Sequence, residues 1–300
     1  MLSYDIHQHL WPAPFLSALR TRDTAPFLRD EKLVTPEGAF AFDARAHDPE
    51  TRIALLDRDE IDVAVVSLQP SLGIEALAAG DRDRLEETWM AGILDLAAQS
   101  GGRLRALAPW RVAPGFAGTS VGASALVERG RGAEALDAAD RSETLVFVHP
   151  EAEGAVPHGR PDWWNWTAGY TGQMQRAYLA WLGGVREAHP SVRIVFAMLA
   201  GGAPIHHERL IHRGIDVRES LDPDTLFDTA SYGRRAIELC IETFGVERVV
   251  YGSDTPVIDP APTLRAVRDL GESVARLLQS DNAERLLEHK RPTDWRPDRS

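Results

Sequence analysis

The chain has 300 residues, of which 44% are hydrophobic and 26% charged, enough to bury a core without staples and incompatible with wholesale disorder. A formal net charge of −12 argues against a nucleic-acid partner, and the single cysteine, Cys240, excludes a disulfide scaffold or a cysteine-based zinc finger. The segment MLSYDIHQHLWP lacks a basic region followed by an apolar run, and no 18-residue apolar stretch follows. The expectation is a cytoplasmic chain with no membrane partner.

Short apolar runs rich in β-branched residues recur along the chain, separated by helix-like stretches. Eight runs predict strands: Leu2–His9, Asp62–Leu68, Leu104–Trp110, Gly118–Gly122, Leu145–His149, Val192–Met198, Leu226–Thr229 and Val249–Asp254. Several, such as VAVVSL, LVFVH and VVYG, are apolar at nearly every position, as strands buried on both faces are. Helices are predicted over Pro49–Asp59, Arg82–Gln99, Ala133–Ala139, Gly172–Ala188, Ile205–His212, Tyr232–Phe244, Thr263–Leu270 and Asp281–His289. Asp281 is the expected N-cap of the last. Cys240 falls in an amphipathic helix and reads as a small core residue.

Eight strands alternating with helices predict an α/β fold, a (β/α)8 TIM barrel forming a single domain over residues 1–290, with 291–300 as a tail. No GxGxxG follows the first strand, against a dinucleotide-binding open sheet. Two connections are long: Trp11–Arg45 and Glu151–Thr171. In a barrel such loops lie on the catalytic face. The second carries Trp163, Trp164 and Trp166, an aromatic lid or a subunit contact.

In Asp5-Ile6-His7-Gln8-His9, period two places both histidines on one face of the first strand. Two converging imidazoles are costly to bury without a partner, and a divalent metal supplies one. The strand LVFVH ends in His149, and VVYGSD ends in Asp254. Three strands thus deliver metal-ligand residue types at their C-terminal ends, where barrels keep active sites.

These motifs resemble the amidohydrolase superfamily, in the amidohydrolase-2 branch that includes aminocarboxymuconate semialdehyde decarboxylase. DIHQH resembles the family's first-strand D-x-H-x-H; LVFVHP, LFDTASYG and RVVYGSDTP resemble its fifth, seventh and eighth strands. The resemblance implies a barrel enzyme holding one divalent metal, Zn²⁺ or in some decarboxylases Mn²⁺, on His7, His9, His149 and Asp254. It also implies a small-molecule substrate, with Arg45 the candidate for a substrate carboxylate. Trp11 would line the pocket mouth. The resemblance and the tryptophan-rich segment favour a homodimer.

One departure stands out. Where the family ends its sixth strand in F-A-H-x-G-G, this chain reads Phe196-Ala197-Met198-Leu199-Ala200-Gly201-Gly202, one residue longer between the anchors. Register taken from the strand puts Met198 in the histidine's place. A thioether neither takes a proton at neutral pH nor suits Zn²⁺ or Mn²⁺. Three readings follow. Asp254 serves as both ligand and general base; His206 or His207 substitutes; or catalysis is lost and a binding barrel remains. Losing a proton donor hurts decarboxylation more than hydrolysis, so the expected reaction is hydrolysis of a small carboxylated or cyclic substrate, with non-oxidative decarboxylation the alternative.

Overall fold

Eight of the chain's strands lie parallel, each predicted from its apolar run. A computed structural model describes residues 1–217 and 222–288. The first strand, β1 (Tyr4–His9), is followed by an insertion carrying a helix, Ala13–Arg20, and three short strands, β2 (Phe27–Arg29), β3 (Lys32–Thr35) and β4 (Gly38–Ala41). These three form a separate antiparallel sheet. The barrel continues with β5 (Val63–Ser67), β6 (Leu104–Pro109), β7 (Gly118–Gly122), β8 (Leu145–His149), β9 (Arg193–Phe196), β10 (Thr225–Asp228) and β11 (Val249–Val250). The strand order is β1-β5-β6-β7-β8-β9-β10-β11. Backbone bonds from Ile6 N–H to Tyr251 O (3.0 Å) and from Asp254 N–H to His7 O (2.8 Å) join the last strand to the first. This is the (β/α)8 architecture that the alternation predicts.

Local chemistry explains most boundaries. Asp48 accepts a hydrogen bond from Thr51 N–H (2.8 Å), Pro49 occupies the first turn, and Glu60 ends the helix Pro49–Asp59 in a left-handed conformation. The helices Ala79–Gln99, Arg131–Arg141, Pro204–His212 and Arg234–Phe244 follow their strands in turn. Behind β9 and β10, Tyr178, Phe196, Phe227 and Phe244 form one aromatic cluster, with Phe227 and Phe244 stacked at 4.6 Å. Cys240 is fully buried, as its helix position predicts.

The structure departs from the sequence expectations in three places. The long loop expected over Trp11–Arg45 instead carries the helix Ala13–Arg20 and the three strands β2 to β4. The expected helix start at Asp281 is wrong. Asp281 ends a π-turn, Leu277–Asp281, already in helical conformation, and its side chain makes no cap bond. The loop expected over Glu151–Thr171 becomes helical from Asn165, so the helix before β9 is longer than its periodicity suggests. Residues 291–300, expected to form a tail, lie outside the described residues. No described helix is long and apolar enough to cross a membrane.

Candidate metal centre

The first strand is not regular. Tyr4 and Asp5 pair with Val63 and Ala64, and Gln8 and His9 with Val66 and Ser67, so β1 holds one extra residue between these pairs. Such a bulge re-aims side chains. It lets Gln8 Nε2 reach Asp5 Oδ2 at 2.7 Å while His7 and His9 both face the barrel axis, ring centroids 5.1 Å apart. His149 ends β8 with its ring 5.0 Å from His7 and 5.1 Å from His9. Asp254 follows β11, in a left-handed conformation at φ 63°. One ligand atom from each of His7, His9, His149 and Asp254 lies within 4.8 Å of all the others.

Hydrogen bonding fixes which ring nitrogens face this point. His7 Nδ1 donates to Asp228 Oδ2 (2.7 Å), His9 Nδ1 to the Ser67 carbonyl (3.0 Å) and His149 Nδ1 to the Pro150 carbonyl (2.8 Å). A carbonyl or carboxylate oxygen only accepts, so each neutral ring carries its hydrogen on Nδ1 and turns a lone pair inward on Nε2. The His7 and His9 Nε2 atoms stand 3.3 Å apart, with Asp254 Oδ1 at 3.5 and 3.2 Å. His149 Nε2 and Asp254 Oδ1 are buried with no hydrogen-bond partner. Four acceptors therefore converge without a donor, an arrangement that a cation resolves. Imidazole and carboxylate ligands fit a divalent transition ion.

Electrostatics agrees with the geometry. Burial alone would depress His7, but the Asp228 and Asp254 carboxylates raise it to about 9, so a proton is the rival occupant of the cluster. His149 is held well below the usual histidine range by burial and by His7 and His9. Burial would raise Asp254, yet the His7, His9 and His149 imidazoles hold it below the ordinary carboxylate range.

A supporting layer fixes the ligands. Arg52, fully buried, donates to Gln8 Oε1 (2.9 Å), the His9 carbonyl (3.1 Å) and the Ala46 carbonyl (2.8 Å). Asp5 accepts from Gln8 and from Ser253 N–H, and burial pushes its carboxyl up to about 6. Asp228 ends β10 fully buried; besides His7 it accepts Met198 N–H and Ala230 N–H, each at 2.9 Å. Gly252 packs so closely that an added Cβ would lie 2.8 Å from His7 Cβ and 3.1 Å from Asp228 Cβ. Sequence reading missed Asp228, Arg52 and the carbonyl acceptors. For Asp228 a signal existed: an apolar strand ending in a carboxylate, the pattern that marked Asp254.

The strand expected to run to Met198 ends at Phe196; Met198 lies two residues beyond it, at the C-terminal end of β9, and its amide donates to Asp228 Oδ1 at 2.9 Å. The stretch with the extra residue is a left-handed turn, with φ of 56°, 48°, 50° and 63° at Met198, Leu199, Ala200 and Gly201. Gly201 is required there, since a Cβ would lie 2.5 Å from the Thr171 carbonyl oxygen. Trp11 is buried, its ring stacked on His47 at 4.4 Å, and its indole nitrogen has no partner. Arg45 is exposed, in a 3₁₀ turn preceding Pro49–Asp59. His206 is half-buried near the start of Pro204–His212, and neighbouring His207 packs edge-on against Phe244. The structure thus gathers His7, His9, His149 and Asp254, and it does not bring Arg45 or His206 into that cluster.

Comparison with known proteins agrees with this architecture. IDCase of Metarhizium anisopliae, in apo form, superposes with a TM-score of 0.75 at 19% identity, covering 97% of this chain and 98% of that one. The 5-carboxyvanillate decarboxylase LigW from Sphingomonas paucimobilis gives 0.73 at 18% identity, covering 96% and 99%. A dihydroxybenzoic acid decarboxylase from Polaromonas, with bound manganese and the inhibitor 2-nitroresorcinol, gives 0.69 at 13% identity, covering 97% and 98%. At these identities the likeness concerns the fold. The amidohydrolase family profile matches residues 4–288, nearly the whole length. The chain belongs to the amidohydrolase family.

Proposed function

We propose that this chain is a divalent-metal-dependent hydrolase of a small carboxylated or cyclic substrate. The observation that carries the reading is the donor-free convergence of three imidazole Nε2 atoms and Asp254 Oδ1. His7, His9, His149 and Asp254 would hold the ion, with Zn²⁺ expected and Mn²⁺ the alternative. When bound, such an ion supplies Lewis acidity and lowers the pKa of water to about 7.

The chain's own residues then divide the remaining work. Asp254 is the general base. Its side chain is 12% exposed, whereas those of His7 and His9 are fully buried, so it borders the open side of the cluster. One carboxylate can take a proton from water and return it to a leaving group. Met198 can do neither, and the imidazole Nδ1 hydrogens are committed to Asp228, Ser67 and Pro150. Trp11 forms part of the wall beyond β1. Arg45 would have to turn inward to meet a substrate carboxylate, and His206 would have to do the same to replace the missing histidine.

A second reading is favoured by the neighbours named above, two of which are decarboxylases of aromatic acids. It needs an acid to protonate carbon, and the gathered residues supply a base. The test is a screen of lactones, amides and aromatic carboxylates on zinc-loaded and manganese-loaded protein. The proposal expects hydrolysis that falls at least about 100-fold in Asp254→Asn. Release of CO₂ from an aromatic acid without hydrolysis of any member would transfer the assignment to decarboxylation. The same reading takes a second copy of the chain as partner, supported by Trp163 and Trp166, 54% and 46% exposed. A monomer in sedimentation would remove that part.

A further inference from the structure

The fourth barrel strand, β7, ends in Gly122, which pairs with His149 at the end of β8. Paired residues of neighbouring strands point to the same side of a sheet. His149 and, two residues earlier, Phe147 face the barrel axis, their rings 5.0 and 4.9 Å from that of His7. A side chain at position 122 would therefore point into the barrel mouth beside His149, but glycine has none. Glu151 fills the space. It follows His149 by two residues and folds back over β7. A Cβ built on Gly122 would lie 2.0 Å from Glu151 Cδ and 2.4 Å from Oε1. Neighbouring strands lie about 4.8 Å apart, which sets the Glu151 carboxyl within about 7 Å of His149 Cβ.

The placement is fixed by hydrogen bonds. Glu151 Oε2 accepts Ser124 N–H at 2.7 Å, and Oε1 accepts the Ser124 hydroxyl at 3.0 Å. Gln173 clamps the backbone: its Oε1 accepts Glu151 N–H at 2.7 Å, and its Nε2 donates to the Glu151 carbonyl at 3.0 Å. Glu37 in turn accepts Glu153 N–H at 2.9 Å and the Tyr170 hydroxyl at 2.5 Å, which ties the segment to the insertion after β1. A carboxylate offers about four lone-pair sites. Ser124 fills two, and among the described residues no arginine or lysine pairs with Glu151. Capping the turn Ala123–Leu126 accounts for the Ser124 N–H bond and leaves the remaining sites of this half-buried group spare. Glu151 lies outside the group of ligand atoms within 4.8 Å of one another, so it borders the metal site without belonging to it. Three neutral imidazoles and one carboxylate leave a divalent ion with net positive charge, which attracts a second carboxylate nearby.

We propose that Glu151 Oε1 accepts a hydrogen bond from a substrate N–H beside the metal site and so selects a cyclic amide over the corresponding lactone. The inference rests on the metal-dependent reading above and narrows its substrate class. A cyclic amide carries its carbonyl and N–H on one edge. A lactone has a ring oxygen where the amide has N–H, and two acceptors share no hydrogen, so the lactone leaves the carboxylate unmatched. Glu151 touches the substrate; Ser124 and Gln173 are positioning residues.

The test uses the full chain loaded with zinc and two metal-seeking probes that need no turnover. Acetohydroxamic acid and N-methylacetohydroxamic acid share one metal-binding head, and only the first has an N–H. Calorimetric titration should show the first binding at least about tenfold more tightly. Glu151→Gln keeps an oxygen on Ser124 N–H and puts a donor in place of Oε1. It should narrow the ratio to less than about threefold while zinc content stays unchanged. Gly122→Ala suits the local backbone, φ −73° and ψ 161°, and its Cβ displaces the Glu151 carboxyl, so it should narrow the ratio equally. Equal binding of the two probes by the natural chain overturns the inference. A ratio unchanged in Glu151→Gln, with or without a lower melting temperature, also overturns it and leaves Glu151 as a turn cap. Failure of both probes to bind protein carrying about one zinc per chain overturns it while leaving the metal centre standing. Absence of zinc from the loaded protein overturns the metal-dependent reading itself, and the inference with it.

Discussion

Asp228 touches no reacting atom in this account, yet it decides which nitrogen His7 presents. Replacing it with asparagine keeps the shape and removes the charge. The amide oxygen can still accept Met198 N–H and Ala230 N–H, leaving Nδ2 toward His7 Nδ1, where the carboxylate oxygen stood at 2.7 Å. Two donors cannot share that contact, so His7 must carry its hydrogen on Nε2, pointing at the cluster. Loss of such a supporting acceptor costs about 10- to 100-fold in metal affinity. The lost charged hydrogen bond costs a further ~1.5–3 kcal/mol of stability in the metal-free protein. Competition with a chromophoric chelator measures the first and thermal unfolding of metal-free protein the second. Asp228→Asn binding zinc as tightly as the natural chain would refute the tautomer argument.

Other perturbations read the same centre. Gly252→Ala should destabilise the protein by about 1–3 kcal/mol in thermal unfolding and weaken zinc binding, because its Cβ meets His7 and Asp228. The metal-free protein should lose stability between pH 6.5 and about 9. The His7 pKa in the fold, about 9, lies above the ordinary 6.5, so its protonated form stabilises fully below 6.5 and is lost as pH rises through 9. Melting temperatures of metal-free protein that rise across this window would contradict that assignment. Met198→His should change hydrolysis by less than about tenfold if Asp254 is sufficient as base. A gain beyond about 100-fold would mark the natural chain as a disabled enzyme.

How much of this was legible depends on where the information sits. The barrel strands announce themselves because doubly buried strands need apolar residues at nearly every position, as in Val63–Ser67 and Leu145–His149. His149 and Asp254 stand out because each ends such a run. Asp228 ends one as well, but an aspartate that supports a histidine looks, in sequence, like one that ends a strand. The β1 bulge cannot be read from β1 alone, since it is defined by pairing with β5. Strands β2 to β4 are three or four residues each and mostly part-exposed, so they lack a run long enough to show alternation. The Tyr170–Glu37 pair joins residues 133 positions apart and leaves no local signature. Asp281 misled for the opposite reason: a good capping residue stood at a place where the helix was already under way.

The central claim is that His7, His9, His149 and Asp254 hold one divalent ion even though Met198 stands in the place of the sixth-strand histidine. The most direct measurement is metal content per chain by elemental analysis, on protein dialysed against Zn²⁺ or Mn²⁺ and then against buffer. The His7→Ala/His149→Ala double variant serves as control. The account predicts about one equivalent in the natural chain and none in the double variant. No retained metal in the natural chain, or the same content in both, would contradict it.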